Sequence, residues 1–349
     1  MIDLLQTIKI KDTGTNVIVS GDLLYYYEKN EIKALKNYKP FWSYKADENP
    51  YQLYYYNSSI LFQKAQAGDI IVLNEAGQPQ LKIGGQLILH NLTGVVDFIL
   101  LYGLHRTADN QTAWMKLDRK FDVIPTRLDL SAASKFVHGG CIYDKFSSIR
   151  CWNLDKEQLI WEKDVSRYKK FALLGNVEEN DAYSLFFEDG ILIAVFNNWL
   201  VALSTADGAI IWEREFEFSG FGPWSFLEKG ILYSYSLSAY FRKIDVKTGK
   251  ILYEEQELLT YIDPENGKKT ELRVLRLANV VNTPDYFVGG TRRKGFLYLI
   301  NKSTGKATTH RLAGDSEGIY QTIRYVDGLL YVPFKYSDYQ DLMIYEIKK

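Results

Sequence analysis

The residues of this chain whose types could do chemistry are four histidines, two cysteines and a few glycine-rich turns. His90, His105, His138 and His310 could ligate a metal, but no two of them stand at i,i+2 or i,i+4, so a site would need loops far apart in sequence to converge. Such scatter reads as core or surface histidine. Cys141 and Cys151 fall on neighbouring strands, and a turn at Ser147–Ser148 would set Cys151 opposite Asp144, so the expectation is two buried thiols and no disulfide. The glycine pairs in VHGGCI (Val137–Ile142) and FVGGTRRKG (Phe287–Gly295) could cradle a phosphate only if a helix followed, and none does. They read as strand turns or bulges. DPENG (Asp263–Gly267) lacks the alternating oxygen ligands of a calcium loop. The expectation is no catalytic residue, no metal and no cofactor.

What must position any functional residue is a set of strands. Hydrophobic residues make up 46% of 349, and 26 Tyr, 18 Phe and 7 Trp supply strand-forming bulk for a large core. Forty-two basic residues balance 43 acidic ones, which argues against the broad basic face that nucleic acid requires. The opening MIDLLQTIKIKDT has no basic region followed by an apolar run, and no segment approaches the roughly 18 apolar residues of a membrane span. The expectation is a cytoplasmic protein, monomeric when unbound, with no membrane and no nucleic-acid partner.

One phrase recurs: WNLDKEQLIWEK (Trp152–Lys163), ALSTADGAIIWER (Ala202–Arg214), KIDVKTGKILYEE (Lys243–Glu255) and LINKSTGKATTHR (Leu299–Arg311). Each is an apolar strand ending in a polar residue, a tight turn and a second strand. Taking that polar residue as a marker gives Lys36, Asn74, Asp118, Asp155, Ser204, Asp245, Asn301 and Glu346, at irregular spacings of 37 to 56 residues that suit four short strands and their turns. Upstream of each marker lies another hairpin, as in SLFFEDGILIAVF (Ser184–Phe196) and IRYVDGLLYVPF (Ile323–Phe334). With no helical period anywhere, the pattern predicts an all-β fold: an eight-bladed β-propeller of four-stranded antiparallel blades over 1–349, with an inserted hairpin near 257–275. The last unit has three strands and DLLQTIKI (Asp3–Ile10) is a spare, so the N-terminal strand is expected to complete the last blade and close the ring.

The copies YFRKIDVKTGKILY (Tyr240–Tyr253), WLVALSTADGAIIW (Trp199–Trp212) and FLYLINKSTGKATT (Phe296–Thr309) resemble the pyrroloquinoline-quinone-like propeller repeat. The resemblance implies that Trp161, Trp212 and, by substitution, Tyr253 pack against the neighbouring blade, with Leu81 and Thr309 in the same slot elsewhere. Some members of that family are quinone-dependent dehydrogenases, but this chain lacks the adjacent cysteines and haem-attaching motif found among them.

Strand direction puts the first–second and third–fourth turns of each unit on one face and every long connection on the other. Loops on a rigid scaffold are where binding resides. The expected function is a noncatalytic platform for another protein, through Arg106, Arg167, Tyr168, Phe221, Trp224, Arg292, Arg293, Tyr336 and Tyr339 on the long-loop face, since arginine and aromatic side chains dominate interfaces. Two alternatives stand beside it: an immunity or antitoxin-like protein that neutralises a toxin, and a small-molecule or glycan binder or lyase-type enzyme using the axial cavity, for which Glu228 and Arg324 are the charged candidates.

Overall fold

The protein was analysed as a computed structural model that describes residues 2–10, 17–64, 67–90, 92–93, 97–105, 113–131, 135–145, 148–173, 176–179, 182, 184–216, 221–236, 240–256, 260–262, 267, 269–271, 277–291, 295–312, 323–335 and 340–347. The described strands form seven larger sheets, A to G in chain order, and two short ribbons. Sheets A (Ile18–Lys45), D (Ser184–Glu215), E (Phe221–Gln256), F (Leu277–Arg311) and G (Arg324–Ile347 with Ile2–Ile10) have four strands each. Sheet B has seven, because the long strand Pro79–His90 pairs on one side with Gly68–Asn74 and on the other with Ile99–His105. It thus belongs to two four-stranded sets at once. In sheet C, the two-residue strand Leu92–Thr93 adds in parallel to Lys135–His138, ahead of an otherwise antiparallel set that ends at Gln158–Asp164.

Sheet G carries the termini together: the N-terminal strand Ile2–Ile10 pairs antiparallel with Gln340–Ile347, from Ile2 opposite Ile347 to Ile10 opposite Gln340. The spare strand therefore lies where the sequence predicts.

Apolar strands without polar alternation are strands buried on both faces. In Trp199–Ser204, Leu200 and Ala202 join a cluster with sheet E, while Val201 and Leu203 join one with sheet C. Likewise Phe296, Tyr298 and Ile300 face sheet E, and Leu297 and Leu299 face sheet G. Eight such clusters are present among the described residues. Seven lie between successive four-stranded sets, including one between the two halves of sheet B, and the eighth joins sheet G to sheet A through Ile10, Leu342 and Ile344 against Val17, Leu24 and Tyr26.

The recurring turns are held by their markers. Asn74 Oδ1 accepts the amides of Ala76 (3.0 Å) and Gln78 (2.9 Å), and Asn301 Oδ1 accepts those of Ser303 (2.9 Å) and Thr304 (3.0 Å). In sheet C the capping residue is Asn153, whose Oδ1 accepts from Asp155 (3.0 Å) and Lys156 (2.7 Å). Asp155 is one of the donors, so the marker for this unit belongs two residues earlier. The register there also corrects the cysteine pairing: Cys151 stands opposite Tyr143, and Asp144 faces Arg150. Both thiols are free.

A single helical turn, Ser166–Lys169, interrupts the all-β pattern in the connection from sheet C to sheet D. It is followed by a ribbon of Lys170–Leu173 and Asn176–Glu179, so the described part of this connection carries its own regular structure. The second ribbon pairs Thr260–Ile262 with Lys269–Glu271. It lies within the 257–275 stretch. No helix among the described residues is long and apolar enough to cross a membrane.

Candidate functional site

Between sheets, the outer strand of one meets a turn of the next. Trp161 Nε1 donates to the Thr205 carbonyl at 2.9 Å and Trp212 Nε1 to the Val246 carbonyl at 2.8 Å. Each indole lies on a turn glycine: a Cβ built at Gly208 would meet Trp161 at 2.7 Å and one at Gly249 would meet Trp212 at 2.8 Å. Both glycines also have φ near +70° (71° and 67°), so the turn needs glycine twice over, for its backbone and for the ring above it. Tyr253 takes the same place with its hydroxyl on the Thr304 carbonyl (2.9 Å). Trp42 docks likewise, Nε1 to the Glu75 carbonyl at 2.6 Å, and sequence reading missed it because its turn, NEAGQ, departs from the repeated phrase.

The docking slot of sheet F holds Thr309, and there the hairpin substitutes: the Thr309 hydroxyl donates to the Thr260 carbonyl. Between sheets B and C, Lys116 reaches Glu157 at 3.1 Å, and the other Glu157 oxygen accepts the Arg127 amide at 2.8 Å.

Consecutive antiparallel strands put the one-turn helix and both ribbons on the long-connection face, because each lies between the last strand of one sheet and the first of the next. There Arg167 donates to the Tyr168 hydroxyl and to Glu213, and the Tyr168 hydroxyl donates to the same Glu213 oxygen. The Arg167 side chain remains 60% exposed. Tyr168 is not a contact residue: it is 2% exposed, wedged between Phe196 (5.5 Å) and Trp199 (5.4 Å). Burial, then Glu213, raises its phenol above the ordinary tyrosine range. Phe221 is also core, fully buried and edge-on to Phe216 at 4.6 Å. Neither offers surface to a partner, because each ring fills the space between sheets. Arg106, Arg292, Arg293, Tyr336 and Tyr339 lie outside the described residues, as does the side chain of Trp224.

Under this face runs a polar row, buried except at Glu254, that sequence reading did not find. Ser225, Ser234, Arg242 and Glu254 are successive register partners across the four strands of sheet E. Arg242 is 3% exposed, its Nε donates to Glu254, and its guanidinium lies 5.0 Å from the Phe216 ring and 5.5 Å from Phe221. Arg242 Nη1 and both serine hydroxyls have no hydrogen-bond partner among the described residues.

On the tight-turn face, a groove of about 600 Å³ opens between sheets E and F, with Glu228, Lys229, Tyr233, Lys243 and Lys302 among its walls. Glu228 does not serve the axis; it pairs with Lys302 of the following sheet at 2.6 Å. Arg324 is exposed at the start of Arg324–Val326. His138 stacks on Phe187 at 4.7 Å, and no three His, Cys, Asp or Glu side chains among the described residues gather as metal ligands.

Sheets joined face to face by apolar clusters, with tight turns on one side and insertions on the other, define a β-propeller. Solved structures agree with that class. The computationally designed Ika8 protein matches with a TM-score of 0.64 at 12% identity, over 96% of each chain. BamB from Moraxella catarrhalis matches with a TM-score of 0.64 at 12% identity, over 99% of this chain and 100% of that one. The WD40 β-propeller domain of Doa1 matches with a TM-score of 0.51 at 10% identity, over 100% and 98%. Identities this low speak to the fold alone. No family model and no curated protein matches the sequence.

Proposed function

We propose that the protein is a noncatalytic, cytoplasmic β-propeller scaffold, with eight blades in one closed ring of pyrroloquinoline-quinone-like repeats, which holds another protein on its long-connection face. Counting sheet B as two blades makes eight, and the apolar cluster linking sheet G to sheet A supports closure. The repeated phrase and its docked tryptophans support the family reading.

The observation that carries the binding role is the asymmetry of the two faces. Turns on one face are closed by their own side chains, whereas the helix and both ribbons emerge on the other. Arg167, fixed by Tyr168 and Glu213 yet mostly exposed, is preorganised for a carboxylate-bearing partner surface, which lowers the entropy lost on binding.

The test is affinity capture from the native host with wild-type protein and three variants. Arg167→Glu should release the captured partner without lowering the melting temperature, since an exposed charge contributes little to folding, and the double change Arg292→Glu with Arg293→Glu should release it too. Lys247→Glu, on the tight-turn face, should leave capture unchanged. Capture lost only with Lys247→Glu would invert the assignment of faces.

A further inference from the structure

The groove between sheets E and F lies on the opposite face from the proposed protein-binding surface, and its chemistry is different. Its volume of about 600 Å³ falls within the roughly 300–1,000 Å³ of small-molecule sites. Position by position, sheet F departs from sheet E here. The residue after the turn marker in sheet E is Val246, apolar and fully buried, its amide on the Gly230 carbonyl at 3.0 Å; in sheet F the same place is taken by Lys302, its amide on the Asp285 carbonyl at 2.9 Å. A lysine that is 6% exposed at a core position carries a desolvation cost that an apolar residue would avoid.

Charge does not balance in the groove. Lys302 is matched by Glu228 at 2.6 Å. Lys243 has no carboxylate partner among the described residues: its amine donates to the Ser303 carbonyl at 2.6 Å and lies 5.1 Å over the Tyr253 ring. Lys229 stands exposed at the rim, in a turn with φ of 50°, and has no carboxylate partner among the described residues either. Against these two amines stands the single exposed carboxylate of Asp285. Burial holds the Lys243 amine below its ordinary range, the behaviour of a cation lacking a counter-ion. The wall beside it is aromatic. Tyr233 lines the groove, its ring edge-on to Phe287 at 5.3 Å and 6.4 Å from Phe241, which gives a planar group an aromatic wall to meet.

We infer that this groove binds a small molecule bearing a carboxylate or phosphate on a flat ring, with Lys243 and Lys229 receiving the anion and Tyr233 the ring.

Phenyl phosphate, phenylacetate and neutral phenol are suitable probes, titrated by calorimetry and by amide chemical shifts into wild-type protein and into Lys243→Met and Lys229→Gln. Saturable binding of at least one anion is expected, with shifts at Tyr233 and Lys302 and none from phenol. The tighter anion distinguishes a phosphate ester from a carboxylate. Lys243→Met should weaken it by about tenfold or more at an unchanged melting temperature; should that variant fail to fold, Lys229→Gln, at the exposed rim, must still weaken binding. The proposal is overturned if neither anion saturates up to about 10 mM, if phenol binds as well as the anions, or if every folded variant binds like the wild type.

Discussion

Docked aromatic rings and buried charges dominate at the scale of single residues. Trp161 is 7% exposed and carries both an apolar contact and a hydrogen bond, so Trp161→Ala should cost on the order of 3–5 kcal/mol, read from urea unfolding midpoints. Gly249 and Trp212 form a pair whose coupling is measurable. Gly249→Ala forces a Cβ into the indole and strains a left-handed turn, but the clash disappears when Trp212 is also alanine. The double variant should therefore be less destabilised than the two single changes predict when added; strict additivity would mean the ring does not lie on the turn. Lys135 is 1% exposed, 4.2 Å over the Trp114 ring, and burial pushes its amine down to about 8. Its folded value lies below the unfolded one, so between about pH 8 and pH 10 the unfolded chain binds the extra proton and stability from this group rises with pH. Wild type should accordingly gain on Lys135→Met over that window. A flat difference between the two would place the amine in water.

Single elements decide whether edges are covered. The strand Ile2–Ile10 pairs along nearly its full length with Gln340–Ile347 and contributes Ile10, fully buried, to the cluster between sheets G and A. Deleting residues 2–10 leaves a bare strand edge beside exposed core, and edges of that kind pair with other chains. The truncated protein should lose melting temperature sharply and aggregate on heating, as followed by light scattering. A truncated chain that melts like the intact one would rule out the closure scheme while leaving the blades in place. The Thr260–Ile262 and Lys269–Glu271 ribbon is a different kind of element. It rests on the outer strand of sheet F through Thr309, so replacing residues 257–275 by a flexible linker should cost far less stability than the N-terminal deletion does.

For the whole molecule, closure predicts compactness. A compact single domain of 349 residues should have a radius of gyration of about 20 Å, and small-angle scattering of the intact protein should return that value, with a clear increase after deletion of residues 2–10. The two faces should also act independently, because the groove of sheets E and F and the Arg167 cluster share no residue. Anion probes in the groove are expected to leave capture of a protein partner unaltered, and Arg167→Glu to leave probe binding unaltered.

The order of strands, the turn glycines and the pairing of the two termini were all readable from the chain, because tight turns and period-two burial are local effects that a few neighbouring residues dictate. Trp161, Trp212 and Tyr253 were legible as docking residues only through the resemblance of the repeated phrase to a known propeller repeat, whose closing aromatic they match. The marker of sheet C was placed two residues late, at Asp155 instead of Asn153, since Asn and Asp in one turn are equally good acceptors and only the backbone amides choose between them. Tyr168 and Phe221 looked like surface because they follow or precede long loops, yet loops can fold an aromatic ring inward, and composition does not say which way it turns. The row Ser225–Ser234–Arg242–Glu254 and the groove of Lys243, Lys302 and Glu228 were invisible for a deeper reason. Each is assembled from residues whose proximity depends on cross-strand register or on the packing of one sheet against the next, and no spacing along the chain records that. Local patterning determined the blades of this protein; where their charges meet was decided only when the sheets came together.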